Sequence, residues 1–290
     1  MIAKEKNYFK DYGLNAEFIP IDSSKYGRIA ISSGQLDIVS GGATNYFDPI
    51  SKGIDLKVIA PFTADLYTIY VRPGDINTFS DLNNKRLGAR IDSGDSFILR
   101  KIFEENNLDL NISYVDIDPN YRPLALMEKN IIDAASAKEI DKQTFNDIGA
   151  VLIPEFVNLG YDERRFVVSS IIVRGDYLRE HPQNVDIFID VYIKSQRYIK
   201  EHPEETSKIL LAELNKNAMG AKIYTDKDVS YLISNNNILL WSDPIFLEEY
   251  VRSAYKVGII DKNLTLDDIY DNRYEEKLKK AQEEIYGQKN

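Results

Sequence analysis

Apolar positions along this chain switch between a spacing of three and four and strict alternation, which marks helices interleaved with strands. Phe9 and Tyr12 share the apolar side of a helix over residues 2–12, closed by Gly13, and residues 15–21 alternate as a strand. Ser23 and Ser24 offer N-caps for a helix to residue 33. Next come a strand over 37–40, a helix over 44–52 closed by Gly53, and a strand over 56–60. Residues 66–72 form a longer extended run ending in Pro73-Gly74. A second series has strands over 86–91, 112–116, 133–136 and 151–153, with helices over 96–106, 123–129 and 141–147. Strands alternating with short helices imply βαβ units.

A short pattern occurs in both series. Gly34 precedes Gln35-Leu36-Asp37-Ile38-Val39-Ser40-Gly41-Gly42, and Asn130 precedes Ile131-Ile132-Asp133-Ala134-Ala135-Ser136-Ala137. Gly and Asn most easily take the left-handed conformation that closes a helix. Each is followed by a short strand with Asp at its start and small residues at its end, where a ligand could approach backbone N–H groups. The expected fold is therefore α/β, with two lobes of mixed, mostly parallel sheets around a ligand cleft. Tyr70-Val71-Arg72-Pro73-Gly74-Asp75 and Ile172-Val173-Arg174-Gly175-Asp176 read as outgoing and returning strands at one hinge. That divides the chain into lobe 1, residues 1–72 and 173–290, and lobe 2, residues 73–172. Beyond the return the pattern is helical: Val185, Phe188, Ile189, Tyr192, Ile193, Gln196 and Ile199 form one stripe. Thr225 with Asp228 forms an N-cap pair, and Asp243-Pro244 opens a helix that Gly258 closes.

A length of 290 residues, 43% hydrophobic and 28% charged, suits a globular protein with a full core. No apolar run approaches the roughly 18 residues of a membrane span, and no charged-then-apolar leader follows Met1. A net charge of −10 argues against nucleic acid or an anionic membrane as the main partner. The absence of cysteine removes disulfides, thiolate catalysis and Cys-ligated zinc. His181 and His202, the only histidines, each sit in a Glu-His-Pro step that reads as a helix entry. No catalytic residue, metal site or cofactor is expected.

In sequence order, several segments resemble the SsuA/THI5-like (NMT1-like) family of binding proteins. The opening Ile2-Ala3-Lys4-Glu5-Lys6-Asn7-Tyr8-Phe9-Lys10-Asp11-Tyr12-Gly13-Leu14 is similar to the family's, with Asn7 where Gly is usual. So are Ser33-Gly34-Gln35-Leu36-Asp37-Ile38, Phe79-Ser80-Asp81-Leu82-Asn83-Asn84-Lys85-Arg86-Leu87-Gly88 and the turn Asp92-Ser93-Gly94-Asp95-Ser96. Near the end, Lys256-Val257-Gly258-Ile259-Ile260 with Leu266-Asp267-Asp268 completes the series. The resemblance implies a type 2 periplasmic-binding-protein fold and an extracytoplasmic, monomeric receptor passing a small molecule to the permease of an ABC importer. It starts after the first strand that family members carry, and no signal segment is present. A ligand-sensing domain and a THI5-like pyrimidine-synthesis enzyme are the alternatives; that enzyme chemistry uses a Cys-rich segment, which this chain lacks.

In open α/β sheets ligands bind beyond the carboxyl ends of strands, at helix N-termini. Three segments qualify. Ser40, Gly41, Gly42, Thr44, Asn45 and Tyr46 follow a strand and open a helix, although a plain Gly-rich turn has the same look. Ser93, Gly94, Asp95, Ser96 and Phe97 open the helix of lobe 2, where the dipole favours an anion and the acidic residues oppose one. Ser136 and Lys138 end the second copy of the pattern. Thr63, Asp65 and Tyr67 precede the first crossover, and Tyr161 precedes the return. The ligand is expected to be an aromatic or heterocyclic solute, a sulfonate or another oxyanion, with rings such as Tyr46, Phe97 and Tyr121 available to stack.

Overall fold

The computed structural model describes residues 1–21, 24–89, 94–117, 123–138, 142–161, 165–216, 225–226, 229–230, 233, 239–256 and 258–287. Asp228, one half of the expected N-cap pair, and Tyr121, one of the expected stacking rings, lie outside the described residues.

The expected first helix is two short ones, α1 (Ile2–Glu5) and α2 (Tyr8–Asp11), because Asn7 between them takes φ 56°. Asn pays little for the left-handed region. Residues 15–21 form no strand: Phe18 and Ile19 stay exposed, and Pro20 has no N–H to give a ladder. After α3 (Ser24–Ser32), Gly34 reverses the chain at φ 77°, into β1 (Ile38–Gly41) and α4 (Thr44–Ser51). The two extended runs expected over 56–72 are one strand, β2 (Leu56–Val71), which continues through Pro61. The second series contains β3 (Arg86–Ala89), α5 (Gly94–Glu105), β4 (Ser113–Asp116), α6 (Pro123–Glu128), β5 (Ala134–Lys138), α7 (Lys142–Asp147) and β6 (Val151–Leu152). Asn130 takes φ 57° after α6, in the role Gly34 has after α3. A short helix not foreseen, α8 (Pro154–Asn158), leads to β7 (Arg165–Arg174). The remaining described α-helices are α9 (Gly175–Glu180), α10 (Pro182–Glu201), α11 (Pro203–Lys216), α12 (Ile245–Lys256), α13 (Leu266–Ile269) and α14 (Glu275–Tyr286). Pro182 and Pro203 open their helices directly after His181 and His202.

The chain forms two compact units. Unit 1 holds Met1–Thr63 and the described residues from Val167 onward; unit 2 holds Ala64–Phe166. The divisions fall inside β2 and β7, upstream of the expected crossings at 72 and 172. The physical reason is that both strands run through the division and only then reach Pro73-Gly74 and Gly175. The two look-alike segments therefore do not pair: Tyr70 lies opposite Ala135 and Leu152, whereas Ile172 lies opposite Val39.

In unit 1, β1 pairs antiparallel with β7, which lies between β1 and β2. The core comprises Ile59, Ala60, Ile171 and Val173 from the strands, with Val185, Ile189 and Tyr192 of α10 and Leu278 of α14. Each such aliphatic side chain contributes about 1.5–3 kcal/mol of transfer free energy. The Tyr192 hydroxyl donates to the Pro61 carbonyl at 3.0 Å, tying α10 to β2. On another side of α10, Val191 packs with Ile2, Tyr8 and Phe9, so the amino-terminal helices are part of the unit.

In unit 2, β3 runs parallel to both β4 and β5, while β2 pairs antiparallel with β5 and β6. Its core gathers Tyr70, Met127, Ile132, Ala135 and Phe145, with the rings of Tyr70 and Phe145 stacked at 4.6 Å.

Candidate functional site

Each unit presents a strand end followed by a helix start. In unit 1, β1 finishes at Gly41, and Gly42-Ala43 turns into α4, whose Ala43 N-cap makes no side-chain cap bond. The turn is closed by the Asn45 N–H donating to the Gly42 carbonyl and the Tyr46 N–H donating to the Ala43 carbonyl, both at 3.0 Å. Those bonds use two of the four leading amides and leave those of Ala43 and Thr44 as candidates for an acceptor, where the dipole favours negative charge. Ser40 is exposed, Gly41, Gly42 and Thr44 are half-buried, and Asn45 is buried. Tyr46 is only 1% exposed, so its ring is core and does not serve as a stacking plate. Burial pushes its phenol up to about 12, which keeps the proton on. Thr63 is half-buried on β2.

In unit 2, the parallel strands β3, β4 and β5 point their carboxyl ends to one edge. Gly94, Asp95 and Ser96 form the first turn of α5; their side chains and Ser93 are outside the described set. Ser136 is half-buried on β5 opposite Ile69, and Lys138 stands opposite Tyr67, its side chain undescribed like that of Asp65. The Thr68 hydroxyl donates to the Ala137 carbonyl at 3.1 Å and fixes this strand end. Three ring candidates turn out to be interior. Tyr67 and Phe97 are each 2% exposed. Tyr161 packs edge-on against Phe79 and accepts from Asn106 Nδ2 at 2.8 Å while donating to Glu105 Oε2 at 3.1 Å. Its hydroxyl is used internally, which removes it from the candidate site.

The aspartates that open the repeated strands have a structural use. Asp133 receives the Arg86 side chain at 3.0 and 2.7 Å and its backbone N–H at 2.9 Å. Those hydrogen bonds hold its carboxyl well below the usual range, at about 2. Asp37 faces Arg174 at 3.8 Å, and Arg174 also reaches the Gly34 carbonyl. In both units, then, an Arg from a neighbouring strand clamps the strand start, away from the ligand end.

Two hollows in unit 1 lie apart from these loops. The larger, about 580 Å³, is lined by Pro244, Leu266, Tyr270 and Asp271 among others, and its Asp271 is already paired with Arg273 at 2.8 Å. The smaller, about 370 Å³, is bordered by Arg174 and Arg179, which are paired with Asp176 and Asp55. In both hollows these charged groups are already paired. One residue at the unit 1 strand end escaped the sequence reading: Ser170, directly opposite Gly41. In sequence it sits within Val167-Val168-Ser169-Ser170-Ile171-Ile172, which reads as plain strand.

A family model described as NMT1/THI5 like matches residues 1–206. A Bacillus subtilis (strain 168) protein named for binding aliphatic sulfonates is 22% identical over 98% of this chain and 85% of its own length. Among solved structures, the periplasmic aliphatic sulphonate binding protein SsuA from Escherichia coli superimposes with a TM-score of 0.74 at 14% identity, covering 93% of this chain and 87% of that one. The desulfurization enzyme DSZB gives a TM-score of 0.63 at 16% identity, covering 97% and 94%. The fold is that of periplasmic binding proteins.

Proposed function

Because this chain belongs to the NMT1/THI5-like family, we propose that it is an extracytoplasmic solute-binding protein that delivers a small molecule to the permease of an ABC importer. The observation that carries this reading is the start of α4 at the glycine-lined end of β1, where the Ala43 and Thr44 amides and the helix dipole suit an anion beyond a strand's carboxyl end. Unit 2 adds a matching strand end at Ser136 and the first turn of α5.

The solute carries an oxyanion, with a sulfonate as the leading class. Relatives named for sulfonates support this, as do the Ala43 and Thr44 amides and the Ser40 and Thr44 hydroxyls at the unit 1 strand end. The contacting residues are Ser40, Gly41, Gly42 and Thr44 in unit 1, and Ser136 with the α5 start in unit 2. An enzymatic role is disfavoured: the sequence has no cysteine for thiolate chemistry, and both histidines serve as helix boundaries. No helix among the described residues is long and apolar enough to cross a membrane.

Native mass spectrometry of the purified chain, followed by thermal shift against alkane- and arenesulfonates, other oxyanions and vitamin precursors, tests this directly. A co-purified solute, or one class raising the melting temperature in proportion to its concentration, is the expected result. No bound mass and no shift from any compound would remove the receptor reading.

A further inference from the structure

We propose that the unit 1 strand end has a floor of two hydroxyl donors, Ser170 on β7 and Tyr46 on α4, which together receive one oxyanion oxygen of the solute. This deepens the solute-binding reading and rests on it. The β1–β7 register sets Ser170 directly opposite Gly41, so the two residues project to the same face of the sheet. That face is where the Tyr46 phenol ends: a Cβ built on Gly41 would come within 2.8 Å of its Oη. A Cβ on Gly27 of α3 would come within 3.5 Å of the same atom. The Ile21 and Val39 side chains border the same spot, at 3.3 and 3.6 Å from that Cβ, so two glycines make room at the phenol oxygen between apolar neighbours.

The hydroxyls are idle in this state. Ser170 is 0% exposed, and its Oγ has no hydrogen-bond partner among the described residues. Tyr46 makes no side-chain hydrogen bond with a described residue. A buried hydroxyl with nothing to bond weakens a fold, and folds retain few of them. One placed beside the loop where ligands bind, next to a second free donor, has a use if an acceptor arrives. Both groups keep their protons at neutral pH, since burial pushes the Tyr46 phenol up to about 12 and a serine hydroxyl does not ionise. A hydroxyl can donate or accept, so the preference for a charged oxygen comes from the Ala43 and Thr44 amides and the dipole of the α4 start, alongside which the two hydroxyls act as donors.

The two effects of removing such a hydroxyl have opposite signs, which makes the test sharp. Calorimetric titration with ethanesulfonate and benzenesulfonate is run on the wild-type chain, Ser170→Ala and Tyr46→Phe, with thermal unfolding of each protein alone. Expected for Ser170→Ala is a loss of sulfonate affinity of about tenfold or more, with an unliganded melting temperature equal to or above wild type. Tyr46→Phe loses affinity in the same direction. A serine that serves only packing through an unseen partner would instead lower the unliganded melting temperature, and that result overturns the proposal. Unchanged affinity in both variants, with wild type binding normally, overturns it too and leaves the receptor reading intact. A wild-type chain that binds neither sulfonate defeats the sulfonate reading and the hydroxyl floor together.

Discussion

Gly41 shows how closely one residue at this site is constrained. A methyl there would press on the Tyr46 Oη at 2.8 Å and on its ring carbons at 3.3 and 3.5 Å. Gly41→Ala should therefore destabilise the protein by about 1–3 kcal/mol in denaturant unfolding, and Gly41→Ala/Tyr46→Phe should recover part of that loss. At Thr44 and Ser136 the consequence is on binding instead: alanine at either should weaken solute affinity by about 1 kcal/mol, roughly fivefold, in calorimetric titration. Asp133 carries a pH dependence. Its folded-state acidity, near 2 and set first by the Arg86 hydrogen bond, lies below that of an unfolded aspartate at about 3.9. The pair thus stabilises the fold fully above that value, and the contribution is lost as pH falls from there through about 2. Acid titration of Asp133→Asn should show lower stability than wild type at pH 6 and convergence of the two curves towards pH 2. Reading the residues from sequence worked where the demand was local. Gly34 and Asn130 were visible as helix closers because a left-handed φ restricts residue type by itself. Ser170 was invisible because its role depends on which residue of a distant strand lies opposite.

Elements were legible in proportion to how much of their stability came from their own pattern. The stripe on α10 identified Val185, Ile189 and Tyr192, and all three are in the unit 1 core. Ile189→Ala should cost about 2–5 kcal/mol, whereas Lys200→Ala on the same helix should stay within about 0.5 kcal/mol; chemical denaturation separates the two. Residues 15–21 alternate equally well and yet form no strand, since a strand needs a neighbour to take its hydrogen bonds and Pro20 withholds one. Residues 56–71 were split in the reading because Pro61 and Thr63 interrupt the apolar run, although pairing carries the strand past both. The helix α8, five residues long, is too short to show a period. Rings were the weakest inference: Tyr46 and Phe97 were expected to be available for stacking and Tyr67 and Tyr161 for contact, and each is interior. Aromatic side chains have much area to bury, so the core claims most of them.

At the scale of the whole chain, the two α/β series and their order along the sequence were enough to indicate the architecture. What the pattern misplaced was the division between units, because strands β2 and β7 continue across it and no turn marks the place. Function is argued from family and from the strand ends taken together: a fold shared with binding proteins, an uncapped helix start beyond β1, and hydroxyls in unit 1 without partners among the described residues. The measurement that tests this account most directly is isothermal titration of the purified chain with benzenesulfonate at two temperatures. The account predicts saturable binding with one site per chain and a negative heat-capacity change from ligand burial. No saturable heat with this or any other sulfonate, together with an unmoved melting temperature, would contradict it.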